Sequence, residues 1–107
     1  GGPMYSTIVD LLQWSKSGLG DSILSADTVE MRHLFKPTNI ALNYGLGLHL
    51  FYDILPIPYE PAIITGWYGH GGDALGSNVR SFKNDDLGAS FASAVNSCNY
   101  SHLNAVG

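Results

Sequence analysis

The run His70-Gly71-Gly72-Asp73 sets a titratable ring beside two residues with no side chain and then a carboxylate. An imidazole titrates near neutral pH, so it can carry a proton to or from a reacting group. Paired glycines let a ligand lie directly on the main chain, because no Cβ stands in the way. The surrounding segment, Gly66 to Asn78, holds five glycines in thirteen positions. Such a stretch is either a tight turn or a place where a ligand meets bare backbone. Taken alone, His70 fits two roles: a structural ring bonding nearby carbonyls, or a group at the edge of a site. Asp73 suits a turn cap better than a catalytic role. Trp67 and Tyr68 either line a substrate cleft or pack against the first helix.

Other chemistries are poorly provided for. The single cysteine, Cys98, allows no internal disulfide and no Cys-x-x-Cys pair. The four histidines and nine acidic residues show no His-x-x-x-His spacing or tight cluster, so no metal is expected, and no other cofactor. His49 reads as a partnered sheet histidine, and His33 and His102 read as surface residues. The net charge is −4 and the five Lys and Arg are dispersed, which leaves no basic stripe for nucleic acid. Tyr44 to Tyr52 is the longest uncharged apolar stretch and is too short to span a bilayer. Gly1 to Met4 shows no signal-peptide pattern, and Asn99-Tyr100-Ser101 is a glycosylation triplet of a kind common by chance.

The elements that must position these residues can be read in outline. A chain of 107 residues makes one domain at most, or a piece of a larger one. Only 13% of residues are charged while 45% are apolar, so some surface is expected to face another chain or segment. Thr7 is placed to cap a first helix carrying Ile8, Leu11, Leu12 and Leu19, with Trp14 at its margin and Gly18 and Gly20 as the stop. Ser25 caps a second helix, with Asp27 and Glu30 near its positive end, and Lys36-Pro37 ends it. Tyr44 to Leu50 alternates apolar residues with glycines and reads as one strand with a greasy face and a bare face. Ile54 to Pro61 carries three prolines and reads as loop. Trp67 to Gly72 reads as a short strand entering a turn. Ser77 to Lys83 and Leu87 to Asn96 flank Asn84-Asp85-Asp86 and read as an antiparallel hairpin. The expected class is therefore α+β, an antiparallel sheet with helices packed on it.

Several segments resemble one known family when taken in order. "GGPMYSTIVDLLQWSKSGL", "LSADTVEMRHLF", "YGLGL" and "GHGGDALGSNVRSF", followed by "NDDLGASFASAVNS", are similar to the C-terminal portion of the penicillin-recognising serine hydrolases. That group includes class C β-lactamases, D-alanyl-D-alanine carboxypeptidases, D-aminopeptidases and related esterases. The resemblance covers residues 1 to about 97 and implies a single partial domain, 1–107, with an incomplete β-lactamase/transpeptidase-like fold.

In that family a serine of a Ser-x-x-Lys motif attacks a carbonyl, assisted by a tyrosine of a Tyr-x-Asn type motif. Both motifs lie N-terminal to the region that this chain resembles. No Ser-x-x-Lys occurs in the chain, so the nucleophile is expected to be absent and the chain inactive alone. His70-Gly71-Gly72 resembles the third motif, usually Lys-Thr-Gly or His-x-Gly. The resemblance makes His70 the proton-relay or substrate-facing ring, and the Asp73 backbone N–H an oxyanion donor. It makes Gly71 and Gly72 substrate-binding, with Trp67 and Tyr68 beside them as the candidate cleft lining named above. Histidine in place of lysine, and Gly71 in place of a hydroxyl, favour a peptidase or esterase over a true β-lactamase. The implied substrate is a small peptide or ester, and the implied setting is secreted or periplasmic. Two further readings remain open: a truncated, non-catalytic domain that self-associates or meets a complementary chain, and a module gripping a peptide along a strand edge.

Overall fold

The computed structural model describes residues 4–38, 43–57, 60–74 and 76–97. The first helix, α1 (Ile8–Lys16), starts as its sequence dictates, with the Thr7 hydroxyl accepting from the Asp10 N–H at 3.1 Å. It ends where Gly18, Leu19 and Gly20 all take positive φ. Leu19 pays the steric cost of that conformation but is buried in the core, which holds it there. A short 3₁₀ turn, Asp21–Ile23, leads to α2 (Ala26–Arg32), where Ser25 accepts from the Thr28 N–H at 3.3 Å.

Six strands follow: β1 (Lys36–Pro37), β2 (Asn43–Tyr44), β3 (His49–Ile57), β4 (Glu60–Ala74), β5 (Ser77–Asn84) and β6 (Ala89–Val95). They form one sheet in the order β1-β2-β3-β4-β5-β6, with every neighbouring pair antiparallel. The chain is thus a small α+β domain, a β-meander with two helices. No helix among the described residues is long and apolar enough to cross a membrane.

Leu19, Leu48 and Tyr68 form the buried cluster, with Phe35 and Leu50 packed against it. α1 lies on β5 and β6. Its fully buried residue is not one of the apolar ones but Ser15, whose hydroxyl sits 2.6 Å from Ser81 Oγ and 2.9 Å from the Phe91 carbonyl. A small hydroxyl at that point brings the helix close to the sheet while satisfying both polar partners. Phe51, Trp67, Phe82 and Phe91 meet ring to ring across β3 to β6, with centroids 5.0–5.5 Å apart.

Four expectations need correction. The second helix ends at Arg32 rather than at Lys36-Pro37, and those two residues form β1. Tertiary bonds stop it: the Arg32 carbonyl accepts from the Leu46 N–H at 3.1 Å, and its guanidinium donates to the Leu19 carbonyl and to Asp21. Tyr44 to Leu50 is not one strand, because the chain turns between β2 and β3, with the Gly45 N–H bonded to the Leu48 carbonyl at 2.8 Å and Gly47 at φ 73°. A Cβ at Gly45 would lie 2.2 Å from the Arg32 carbonyl, so the glycine there answers a close approach. Residues 54–57 and 60–61 are strand rather than loop, with Ile54 opposite Ile64 and Ile57 opposite Glu60. The register shifts between Leu55 and Ile57, where Pro56 cannot donate to the ladder. Lastly, Trp67 to Gly72 is the middle of β4, a strand of fifteen residues, and not a strand running into a turn. The hairpin across Asn84-Asp85-Asp86 forms as expected, with Asn84 bonded to Thr65 beneath the turn. Cys98, His102 and the triplet at 99–101 lie outside the described residues.

Two glycines of β4 give opposite expectations. A Cβ on Gly69 would lie 2.0 Å from the Ser81 carbonyl oxygen and 2.8 Å from Phe82 Cα, both main-chain atoms that cannot yield cheaply. Gly69→Ala is expected to cost about 3 kcal/mol. Gly72 has nothing within 4 Å of its Cβ direction, and Gly72→Ala is expected to stay within about 0.5 kcal/mol of the parent. Urea unfolding of the two variants checks the contrast.

Candidate functional site

At its C-terminal end the long strand β4 outruns β3. Its pairing with β3 ends at Gly69 opposite His49, whereas its pairing with β5 continues to Ala74 opposite Ser77. Among the described residues, His70, Gly71, Gly72 and Asp73 therefore have a strand partner on the β5 side only. In an antiparallel ladder alternate residues turn their N–H and C=O away from a given neighbour. Two of the four consequently present main-chain groups to the side that β3 has left.

The glycines of this segment do different jobs. A Cβ on Gly71 would lie 2.6 Å from Arg80 Nη1 and 2.9 Å from its Cδ, so the arginine side chain lies across that position. Gly72 is exposed, with open space beside it. Asp73 is held from across the hairpin: its carboxylate accepts from Asn78 Nδ2 and lies 3.5 Å from Arg80 Nη1. Asn78 is fully buried, and its Oδ1 has no partner among the described residues.

His70 is half-buried, and both of its ring nitrogens are engaged. Nδ1 meets the Gly71 carbonyl, and Nε2 lies 3.3 Å from the Tyr44 hydroxyl. The His49 ring stands 4.6 Å from the His70 ring and 4.7 Å from that of Tyr44, centroid to centroid. Tyr44 ends β2, His49 starts β3, and His70 lies within β4 just past the point where its pairing with β3 stops. His49 Nδ1 is buried and unpartnered among the described residues, which corrects the expectation of a partnered sheet histidine. Burial lowers the His49 pKa below its usual value, and the charges of His70 and Arg80 push the same way.

Trp67 and Tyr68, expected to line a substrate cleft together, do not share a surface. Successive strand residues point to opposite faces. Tyr68 is part of the buried core, and its hydroxyl donates to Asp85 Oδ1 at 3.2 Å. Burial and the neighbouring Asp85 carboxylate raise its pKa far above the usual phenol value. Trp67 packs its ring 5.4 Å from that of Phe91, on β6 rather than on the first helix. His33, expected at the surface, is half-buried, 2.6 Å from Asp21 and 4.7 Å from the Tyr68 ring. Tyr52 is exposed and lines a shallow groove with His33, Phe35, Lys36 and Leu50, a feature that includes neither His70 nor Tyr44.

Reading the residues one at a time missed Tyr44 and His49 beside His70, and Arg80 beside Gly71 and His49. The signal for the first two was present in the glycines: a turn at Gly45–Gly47 sets Tyr44 opposite His49. Nothing in the sequence announced Arg80, which is brought under Gly71 only by the β4–β5 register. No group of three or more His, Cys, Asp or Glu among the described residues could hold a metal ion.

The lowered His49 pKa has a consequence for stability. As pH falls, the unfolded chain takes up the proton at the ordinary value of 6.5, before the folded chain does. The unfolded state then binds more protons, so the contribution of His49 is full above that value and declines below it toward the lowered native value. Between about pH 7 and about pH 5 the parent is expected to lose more stability than His49→Gln, as read from urea midpoints. Comparison with family models, with curated proteins and with solved structures returned no match to this chain.

Proposed function

We propose that this chain is the C-terminal portion of a serine hydrolase of the penicillin-recognising type, with its β-lactamase/transpeptidase-like fold, acting on amide or ester bonds. It supplies one wall of the site, and the attacking serine comes from the portion that precedes this region in that family or from a second chain. The reading rests on the ordered resemblance of the segments quoted above and on one structural observation. The segment that resembles the third motif, His70 to Asp73, has strand pairing on one side only among the described residues, and Gly72 opens onto free space.

The chemistry follows from that placement. A substrate chain lies over Gly71 and Gly72, bonding the outward main-chain groups of Gly71, the residue that alternates with Asp73 along the open side. As the serine oxygen attacks, the carbonyl oxygen gains negative charge and takes a hydrogen bond from the Asp73 N–H. A second donor comes from the nucleophile's own segment. Each such donor is worth about 10²–10³ in rate, so this wall matters to the reaction even though it forms no bond to substrate. His70, half-buried beside the same edge, accepts a proton and returns it to the leaving group.

Two measurements test this. A fluorophosphonate probe is expected to leave the chain unlabelled, because it carries no activated serine, and stable labelling would refute the assignment of the nucleophile to another segment. In ¹⁵N-labelled protein, an N-acetylated dipeptide and its methyl ester are expected to shift the amide signals of Gly71, Gly72 and Asp73 in a saturable way. Saturable shifts elsewhere with these three unmoved would overturn the site, and so would no response at millimolar ligand. Gly72→Val, which fills the open space, is expected to weaken the response at least tenfold.

A further inference from the structure

We infer that Tyr44 is a positioning residue for His70, holding its ring with the proton on Nδ1 and with Nε2 as the proton acceptor. The inference rests on the reading of His70 as the proton carrier and goes beyond it by naming the atom that takes the proton and the residue that keeps it ready.

The tautomer follows from the partners. A carbonyl oxygen has no proton to give, so the contact between His70 Nδ1 and the Gly71 carbonyl requires the hydrogen to sit on Nδ1. In a neutral imidazole the other nitrogen is then a bare acceptor. The group 3.3 Å from that nitrogen is the Tyr44 hydroxyl, which can donate. Both contacts are satisfied by one arrangement: Tyr44 O–H toward Nε2, and Nδ1–H toward the Gly71 carbonyl. A neutral histidine in water prefers the opposite tautomer, with its proton on Nε2, so this arrangement is imposed by the fold.

The remaining neighbours fit the same role. The groups facing the His70 ring are Tyr44 from β2 and His49 from β3; Arg80 from β5 acts on His49, with Asp73 beyond it partly balancing its charge. His49 is biased toward its neutral form, so a proton gained at His70 Nε2 meets no second imidazolium at 4.6 Å. When a substrate hydroxyl or attacking serine replaces Tyr44 at Nε2, its proton passes to that nitrogen and later leaves to the departing group. Nδ1–H keeps its bond to the Gly71 carbonyl throughout, so the ring does not reorient.

Long-range ¹H–¹⁵N spectra of the imidazoles, recorded above the titration range, read the tautomer directly. His70→Gln identifies the His70 signals. The expected result is the unprotonated nitrogen resonance at Nε2 in the parent and a redistribution toward the Nε2-protonated form in Tyr44→Phe. A parent His70 protonated on Nε2 would overturn the inference without any variant. A Tyr44→Phe protein that keeps its amide spectrum and shows an unchanged His70 tautomer would overturn it as well. The dipeptide titration of Gly71 to Asp73 in the same sample reports separately on the underlying site, so failure of one is distinguishable from failure of the other.

Discussion

Arg32 fixes where the site begins. Its guanidinium donates to the carbonyls of Leu19 and Leu46 and to Asp21, while its own carbonyl accepts from the Leu46 N–H. One residue at the end of α2 thereby ties the α1–α2 connection to the turn between β2 and β3. That turn is where β3 starts, and the start of β3 at His49 decides how far it can cover β4. Had β3 begun a few residues earlier, His70 to Asp73 would have been paired on both sides. The ion pair with Asp21, at 2.8 Å and largely shielded from water, is joined by His33 at 2.6 Å on the other carboxylate oxygen. Removing one member of such a group leaves its partner charged and half-desolvated, which costs more than the pair itself contributes.

The same turn gathers the chemistry. Tyr44 and His49 are opposite one another because the chain reverses between them, and His70 lies against both because β4 continues past the point where β3 ends. The open main chain and the ring cluster are thus two results of one geometric fact. Arg80 adds a positive charge beneath Gly71, and the absence of a Cβ at that glycine is what admits it.

The two layers of the fold serve the site unequally. The cluster of Leu19, Leu48 and Tyr68, with α1 anchored through Ser15 onto β5 and β6, holds the sheet rigid where the strands are long. Tyr68 belongs to that support, with its hydroxyl engaged by Asp85 and its ring buried. The exposed apolar side chains of Met4, Tyr5, Ile8 and Val9 at the start of α1 agree with the low charge content.

By itself the sequence determined the local punctuation: the caps at Thr7 and Ser25, the stop at Gly18 to Gly20, the Asn84-Asp85-Asp86 hairpin and the α+β class. Each depends on residues within a few positions of one another, so short-range stereochemistry is sufficient. It also marked His70 to Asp73 as the segment of interest, through residue types alone. The tertiary structure decided the rest. Glycine between apolar residues reads equally well as strand or turn, and at Gly45 the choice was made by the Arg32 carbonyl pressing against it, from thirteen positions earlier in the chain. Three prolines suggested a loop, yet the pairing of β3 with β4 kept strand on either side of residues 58–59 and absorbed Pro56 in a register shift. The company kept by His70 was beyond any local rule, because Tyr44 and His49 reach it only through strand register, and register is a property of the sheet as a whole.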